Sequence, residues 1–249
     1  MLEEPLCRRR CCKHFKGVLQ PDGTEASEVC VCPAFPKGIP DRIAYGSDKH
    51  LQISSDQVGN VVYEKYDMHE EQIVDAIGKA RKGITRYLAI LDTVHRVDVS
   101  HDRDFQKMFN RFYRVRQRPA EWYEVYFRYL ENSKIAPPSF DTALDYLWST
   151  LGRYEPSFSS KLVATLVPDQ PIWDRFVLEN TGVKAPSYAA RNRVHTAKTV
   201  YRSIEKWYSR YLHSAEGHRI LRLFNREVEE HGKISDLKKV DFVLWQTRA

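Results

Sequence analysis

Cysteine is absent after Cys32, no apolar run approaches the length of a membrane span, and only 11 of the 249 residues are glycine. Each absence excludes something. A spanning helix needs roughly 20 consecutive apolar residues. The start of the chain has no basic stretch leading into an apolar segment with a small-residue cleavage site, so no secretory signal is read. The expectation is a cytoplasmic protein without a membrane partner. The five cysteines are odd in number and confined to the first 32 residues, which argues against a disulfide framework where thiols stay reduced. A phosphate-cradling glycine loop, a Gly-x-Ser-x-Gly elbow and a His-Glu-x-x-His pair are all missing, and with them the commonest signatures of nucleotide, acyl and zinc-protease chemistry.

What is present suffices for a real core: 42% of residues are hydrophobic and 12% aromatic, enough for one large domain or two smaller ones. The net charge of +6 is unevenly placed. Residues 1–66 hold nine Lys and Arg against nine Asp and Glu, and the remainder holds thirty against twenty-four. A surplus of this size is compatible with a polyanionic partner without requiring one. The texture changes after Tyr66. Residues 1–66 read as a small Pro/Gly-rich module and residues 67–249 as an all-α domain, so the fold class is mainly α.

The small module carries Cys7, Cys11, Cys12, Cys30 and Cys32, with His14 and His50 nearby. Thiolates and imidazoles together suit tetrahedral zinc, and Cys12, Cys30, Cys32 and His50 are the candidate ligands of a structural Zn site. Free thiols are the alternative, because no C-x2-C pair is present. A unit this small and loop-rich needs a metal or a docking partner to be stable. Cys12-Lys-His-Phe, the run from Cys32 through Ala34, Phe35, Pro36, Gly38, Ile39 and Pro40, then His50 and the closing Gly59 and Glu64, resemble a small stand-alone bacterial family of no established activity.

In the larger part, apolar residues at Ile73, Ile77, Ala80, Ile84, Leu88, Leu91 and Val94 recur at the three-four spacing of one buried helical stripe within His69 to Val97. Further helices are expected over Asp104–Arg116, from Pro119 through Leu130, over Phe140–Leu151 with Ser139 as cap, and over Tyr188–Leu212, Ala215–His231 and Ser235–Thr247. The centre of the chain is SFSSKLVATLVPDQPIWDRFV, Ser157 to Val177. It reads as a short helix, a turn bounded by Pro168 and Pro171, and a second helix that opens at Asp174 and stops at Gly182. A carboxylate at a helix start is held by unpaired backbone N–H groups, which suits a catalytic acid residue and equally a plain cap.

Ser157, Ser159, Ser160, Lys161, Leu162, Pro168, Pro171, Ile172, Trp173, Asp174 and Val177 resemble the central motif of uncharacterised bacterial proteins in the helix-hairpin-helix DNA glycosylase superfamily, of the 8-oxoguanine glycosylase type. Ile234, Asp236, Lys238, Lys239, Asp241, Phe242, Leu244, Trp245 and Gln246 resemble the closing helix of the same group. The resemblance covers roughly residues 67–249. It implies a helical glycosylase-like domain acting on DNA without a cofactor, with Asp174 stabilising the cationic sugar as the base leaves. The candidate substrate-binding residues are Trp173, Lys161, Ser160, Lys238, Asp241 and Trp245. Trp173 is a buried anchor of the turn or one wall of a pocket for an extruded base. Lys238, Asp241 and Trp245, on one face of the closing helix, are an ion pair beside a buried ring or part of the mouth of the same pocket. Lys161 stands thirteen residues before Asp174, later than the Schiff-base lysine of bifunctional relatives, so the implied enzyme is monofunctional, with water as nucleophile. The Gly-x-Gly phosphate grip of that family is replaced by Arg153, Tyr154, Glu155, Pro156 and Ser157. A non-catalytic scaffold for nucleic acid or protein is therefore the second reading.

Arg191, His195, Lys198, Arg202, Lys206 and Arg210 fall at steps of three or four along one predicted helix, a stripe of about 28 Å at 1.5 Å per residue. It suits a run of phosphates, and equally a solvated outer face. Arg111, Arg114, Arg116 and Arg118 precede Trp122, Tyr123, Tyr126, Phe127 and Tyr129; such rings stack bases or, at this spacing, fill a core.

Overall fold

The structure, a computed structural model, describes residues 5–10, 12–64 and 67–247; Cys11 and Tyr66 fall outside them. The chain divides into two compact units, Met1–Met68 and His69–Arg248. Among the described residues no helix is long and apolar enough to cross a membrane.

The first unit contains α1 (Leu6–Arg9), a two-stranded antiparallel hairpin of β1 (Gly17–Leu19) and β2 (Val29–Val31), and α2 (Asp41–Ala44). Elements this short bury little by themselves. Cys7, Cys30, Cys32, Ala34, Phe35, Ile39, Ile43 and Ala44 form a small core, with Cys12, Phe15 and Val61 against it. The loops are held by side chains that bond backbone. Gln57 donates to the carbonyls of Gly59 and Val61 and accepts from the Ser54 N–H. Arg10 reaches the carbonyls of Gly46 and Asp48, and Tyr63 donates to Arg10 O at 2.7 Å.

The second unit is helical: α3 (Glu70–Val94), α4 (Arg103–Phe112), α5 (Ala120–Asn132), α6 (Phe140–Leu151), α7 (Pro156–Leu166), α8 (Arg175–Thr181), α9 (Arg193–Leu212), α10 (Ala215–Glu227) and α11 (Asp236–Gln246), with a 3-10 turn at Glu229–Lys233. Polar side chains that accept orphan backbone N–H groups start most of them. Asp102 caps α4, Ser139 caps α6, Ser214 caps α10 and Ser235 caps α11. Pro156 opens α7 at a position where its missing N–H costs nothing.

Helix α3 packs against α4, α7, α10 and α11. Its buried stripe is Ile73, Ala76, Ile77, Ala80, Ile84, Tyr87, Ile90 and Val94, and each fully buried Ile contributes about 1.5–3 kcal/mol. Helix α11 packs against α3, α8, α9 and α10, and every residue from Leu237 to Leu244 is buried. Trp122, Tyr126 and Phe127 of α5 belong to the core, while Tyr123 and Tyr129 are half-buried: Trp122 and Tyr126 stack 4.7 Å apart, and Tyr126 donates to Phe158 O at 3.0 Å.

Three helices differ from the reading of the sequence. The helix expected through Arg116 stops at Phe112. The helix expected from Tyr188 begins only at Arg193. Before it, the Ser187 hydroxyl accepts the Ala189 N–H and the Ser187 carbonyl accepts the Ala190 N–H, a local turn that competes with the helical pattern. The Arg193 guanidinium then lies over the rings of Trp148, Tyr154 and Tyr188. The helix expected through His231 stops at Glu227, where Val228 adopts extended φ/ψ.

Candidate active site

The short helix α7, the proline turn and the start of α8 are tied together by three hydroxyls. Ser160 Oγ accepts the Trp173 N–H at 2.7 Å. Tyr201 donates to Pro171 O at 2.7 Å, and Ser235 donates to Pro168 O at 2.7 Å. The turn is thereby anchored to α7, α9 and the approach to α11, which places Asp174 independently of solvent.

Asp174 caps α8, its Oδ1 accepting the Val177 N–H at 2.8 Å. It also lines a cavity of about 270 Å³. This is slightly under the roughly 300–1,000 Å³ usual for small-molecule sites and suits one ring system better than an extended chain. Capping and cavity exposure are compatible, because the Val177 N–H is the one hydrogen-bond donor to the carboxylate among the described residues. Burial raises the Asp174 carboxyl above its usual range and Asp241 pushes the same way, while the Val177 N–H, Lys161 and Lys238 oppose.

Lys161, Lys238, Asp241 and Trp245 line the same cavity. Lys161 extends from α7, donating to Tyr113 O at 3.3 Å with its ammonium over the Tyr113 and Phe158 rings. Burial pulls this ammonium down to about 8, partly offset by Asp174. Lys238 lies 2.6 Å from Asp241 Oδ2 and over the rings of Tyr87, Phe112 and Phe242. Burial is the largest influence and lowers its pKa; Asp241, Tyr113 and Asp174 together outweigh it, and the net direction is up. Tyr208 donates to the other Asp241 oxygen at 3.2 Å. Two carboxylates and two amines from α7, α8 and α11 thus share one enclosed space, where low effective dielectric strengthens each interaction.

Trp173 and Ser160 are not in the cavity wall. The Trp173 ring is buried and stacks parallel to Phe140 at 6.1 Å; Ser160 is fully buried beneath the turn, its hydroxyl donating to Ser157 O. Both hold the segment that presents Asp174.

The rim is cationic. Lys79, Lys82 and Arg86 of α3, with Arg111 and Arg114 at the end of α4, line the cavity. Arg114 has φ +51°, a left-handed conformation usual for glycine after a helix, and its guanidinium sits 4.7 Å above the Trp245 ring. Of these five cations, the reading of the sequence picks out only Arg111 and Arg114, as part of a different cluster. Lys79, Lys82 and Arg86 follow helical spacing, but nothing in their own segment marks the helix across the cavity from them.

The stripe on α9 is arranged differently. Lys198 pairs with Asp145 and Arg202 with Asp141, each at 2.6 Å. Arg191 precedes the helix, whereas His195, Lys206 and Arg210 are exposed. The stretch from Arg153 to Ser157 is closed: Glu155 is buried and paired with Arg153 at 3.1 Å and Arg118 at 3.4 Å.

In the first unit, two of the zinc candidates have hydrogen-bonding neighbours. His50 Nε2 lies 2.7 Å from Gln57 Oε1, and its ring packs on Phe35. Cys30 Sγ lies 3.4 Å from the Tyr45 hydroxyl. Burial pushes the Cys32 thiol up and the neighbouring Cys7 thiol up to about 11. Cys12 packs at the edge of the same core, and among the described residues no group of three or more His, Cys, Asp or Glu is placed to hold a metal.

No family model, no curated protein and no solved structure matches this chain.

Proposed function

We propose that the helical unit is a glycosylase-like domain that accepts an extruded nucleotide of DNA and hydrolyses its N-glycosidic bond, releasing a damaged or modified base. The observation that carries this reading is the convergence of Asp174, Lys161, Lys238, Asp241 and Trp245 on one cavity ringed by cations. In the reaction, the C1′–N bond breaks with its electron pair leaving on the base, which takes up a proton. The positive charge left on the sugar lies against the Asp174 carboxylate, and the oxygen of a water molecule bonds to C1′ and loses its proton. Trp245, its ring under the Arg114 guanidinium, lines the cavity that would receive the extruded base. The resemblance of the Ser157–Val177 segment and the closing helix to helix-hairpin-helix glycosylases supports the same roles.

The closed stretch around Glu155 favours a second reading, in which the cavity binds nucleic acid without catalysis. Base release from a panel of damaged and modified duplexes separates the two. Asp174→Asn is the informative variant, because asparagine caps helices as well as aspartate does. Abasic sites formed by the wild type and none by Asp174→Asn establish the hydrolase. Silence from the wild type across the panel removes it.

A further inference from the structure

Charge on the surface of the helical unit is distributed otherwise than the periodicity of α9 implies. On α9, two of the central cations are neutralised by Asp141 and Asp145 of α6. The cavity rim has the opposite character. Lys79 pairs with the exposed Asp75 one turn earlier, but among the described residues no carboxylate pairs with Lys82, Arg86, Arg111 or Arg114. Inside the cavity, Asp241 is already matched by Lys238 at 2.6 Å, so it does not cancel the rim. An uncompensated group of cations around a concave, low-dielectric wall focuses field lines and concentrates anions there.

The geometry suits a strand. Lys79, Lys82 and Arg86 stand at steps of three and four on one face of α3 and span about 10 Å at 1.5 Å per residue. That is the run of roughly three phosphates at 3.4 Å of helix axis per charge on one strand. Arg111 and Arg114 line the cavity from α4 and the residues after it, and Arg114 is held over Trp245 in a backbone conformation that arginine rarely adopts. A strained conformation persists only where its surroundings enforce it, and such residues cluster at ligand clamps. The rim therefore adjoins the ring that would meet the base.

We infer that the phosphates flanking the extruded nucleotide are gripped by Lys79, Lys82, Arg86, Arg111 and Arg114, the rim of the Asp174 cavity, and that the α9 stripe is not the DNA path. This rests on the nucleic-acid reading of that cavity. It supplies the phosphate grip that the stretch around Glu155 does not.

The test is the salt dependence of binding to a fluorescent duplex carrying one tetrahydrofuran abasic analogue, from roughly 50 to 200 mM NaCl. Three proteins are compared: the full chain, a rim variant (Lys82→Gln, Arg86→Gln, Arg111→Gln) and a stripe variant (His195→Gln, Lys206→Gln, Arg210→Gln). None of the rim positions is fully buried, and circular dichroism verifies that both variants fold. At about 0.9 per phosphate contact, the rim variant loses about 2.7 from the slope of log K against log salt and binds at least about tenfold more weakly at 100 mM. The stripe variant stays within about twofold of the wild type. A rim variant with the wild-type slope, a stripe variant that loses more, or a wild type that shows no salt-dependent binding overturns the inference. Base release, scored separately, keeps the two readings apart: a wild type that releases no base but shows a rim-dependent slope removes the hydrolase and leaves the rim.

Discussion

Lys238 Nζ lies 2.6 Å from Asp241 Oδ2, one turn apart on a helix buried along nearly its whole length. Both side chains are less than a tenth exposed, so the pair behaves as one unit. Lys238→Met leaves Asp241 buried without its cation and destabilises the protein by about 3–5 kcal/mol. The double variant Lys238→Met/Asp241→Leu recovers at least half of that loss, with the orphaned Tyr208 hydroxyl accounting for the remainder. Urea unfolding of the two variants checks this. A double variant no more stable than the single would show that the pair is not what holds α11.

Ser160 is the acceptor that fixes the backbone just before Asp174. Removing its hydroxyl leaves a buried Trp173 N–H unsatisfied, at a cost of about 1–3 kcal/mol. Ser160→Ala is expected to lower the urea midpoint accordingly and to speed hydrogen exchange at the Trp173 amide; an unchanged exchange rate would mean the turn is held by Tyr201 and Ser235 alone.

Lys161 makes stability depend on pH in a definite direction. Its folded pKa is about 8, below the ordinary 10.5, so between those values the unfolded chain binds more protons and stability rises with pH. The contribution of the group is most unfavourable below about pH 8 and vanishes above about 10.5. The difference is on the order of 3 kcal/mol. Lys161→Met removes that slope and is more stable than the wild type at pH 7. Denaturation at pH 7, 9 and 10 reads both effects.

Arg114 combines a left-handed backbone with a ring contact. Arg114→Ala keeps the unfavourable φ and loses the cation from Trp245, costing about 0.5–1 kcal/mol. Arg114→Gly loses the same contact but relieves about 1–2 kcal/mol of backbone strain, offset by a more flexible unfolded chain. The glycine variant is therefore expected to be the more stable of the two, and an order of stability with alanine ahead would contradict the strained conformation.

Much of the helical framework can be read from local chemistry. Ser139, Ser235 and Asp174 each precede a helix and accept its N–H groups, and Pro168 and Pro171 bracket the turn that the sequence shows. These signals act within four residues and survive any tertiary arrangement. The rim does not have that property. Lys79, Lys82 and Arg86 sit among other polar residues of α3, and only the packing of α3 against α11 turns their face toward Asp174. The pairing on the α9 stripe is illegible for the same reason: its spacing is regular, but Asp141 and Asp145 come from a helix more than fifty residues earlier. Trp173, a candidate wall on sequence grounds, is buried against Phe140, because an aromatic ring beside a proline turn packs inward when a hydrophobic surface is within reach.

Gly83 lies between Lys82 and Arg86 in α3 and lines the cavity, where a methyl group in its place would meet only Phe242, at 3.6 Å. Alanine would fit and would strengthen the helix by about 1 kcal/mol. A side chain added here therefore has room to extend beside the cavity from the α3 side. Residue 83 acts as a gauge: each carbon added there narrows the aperture from the α3 side, so a graded series from glycine through alanine to leucine would measure the largest ring the cavity admits.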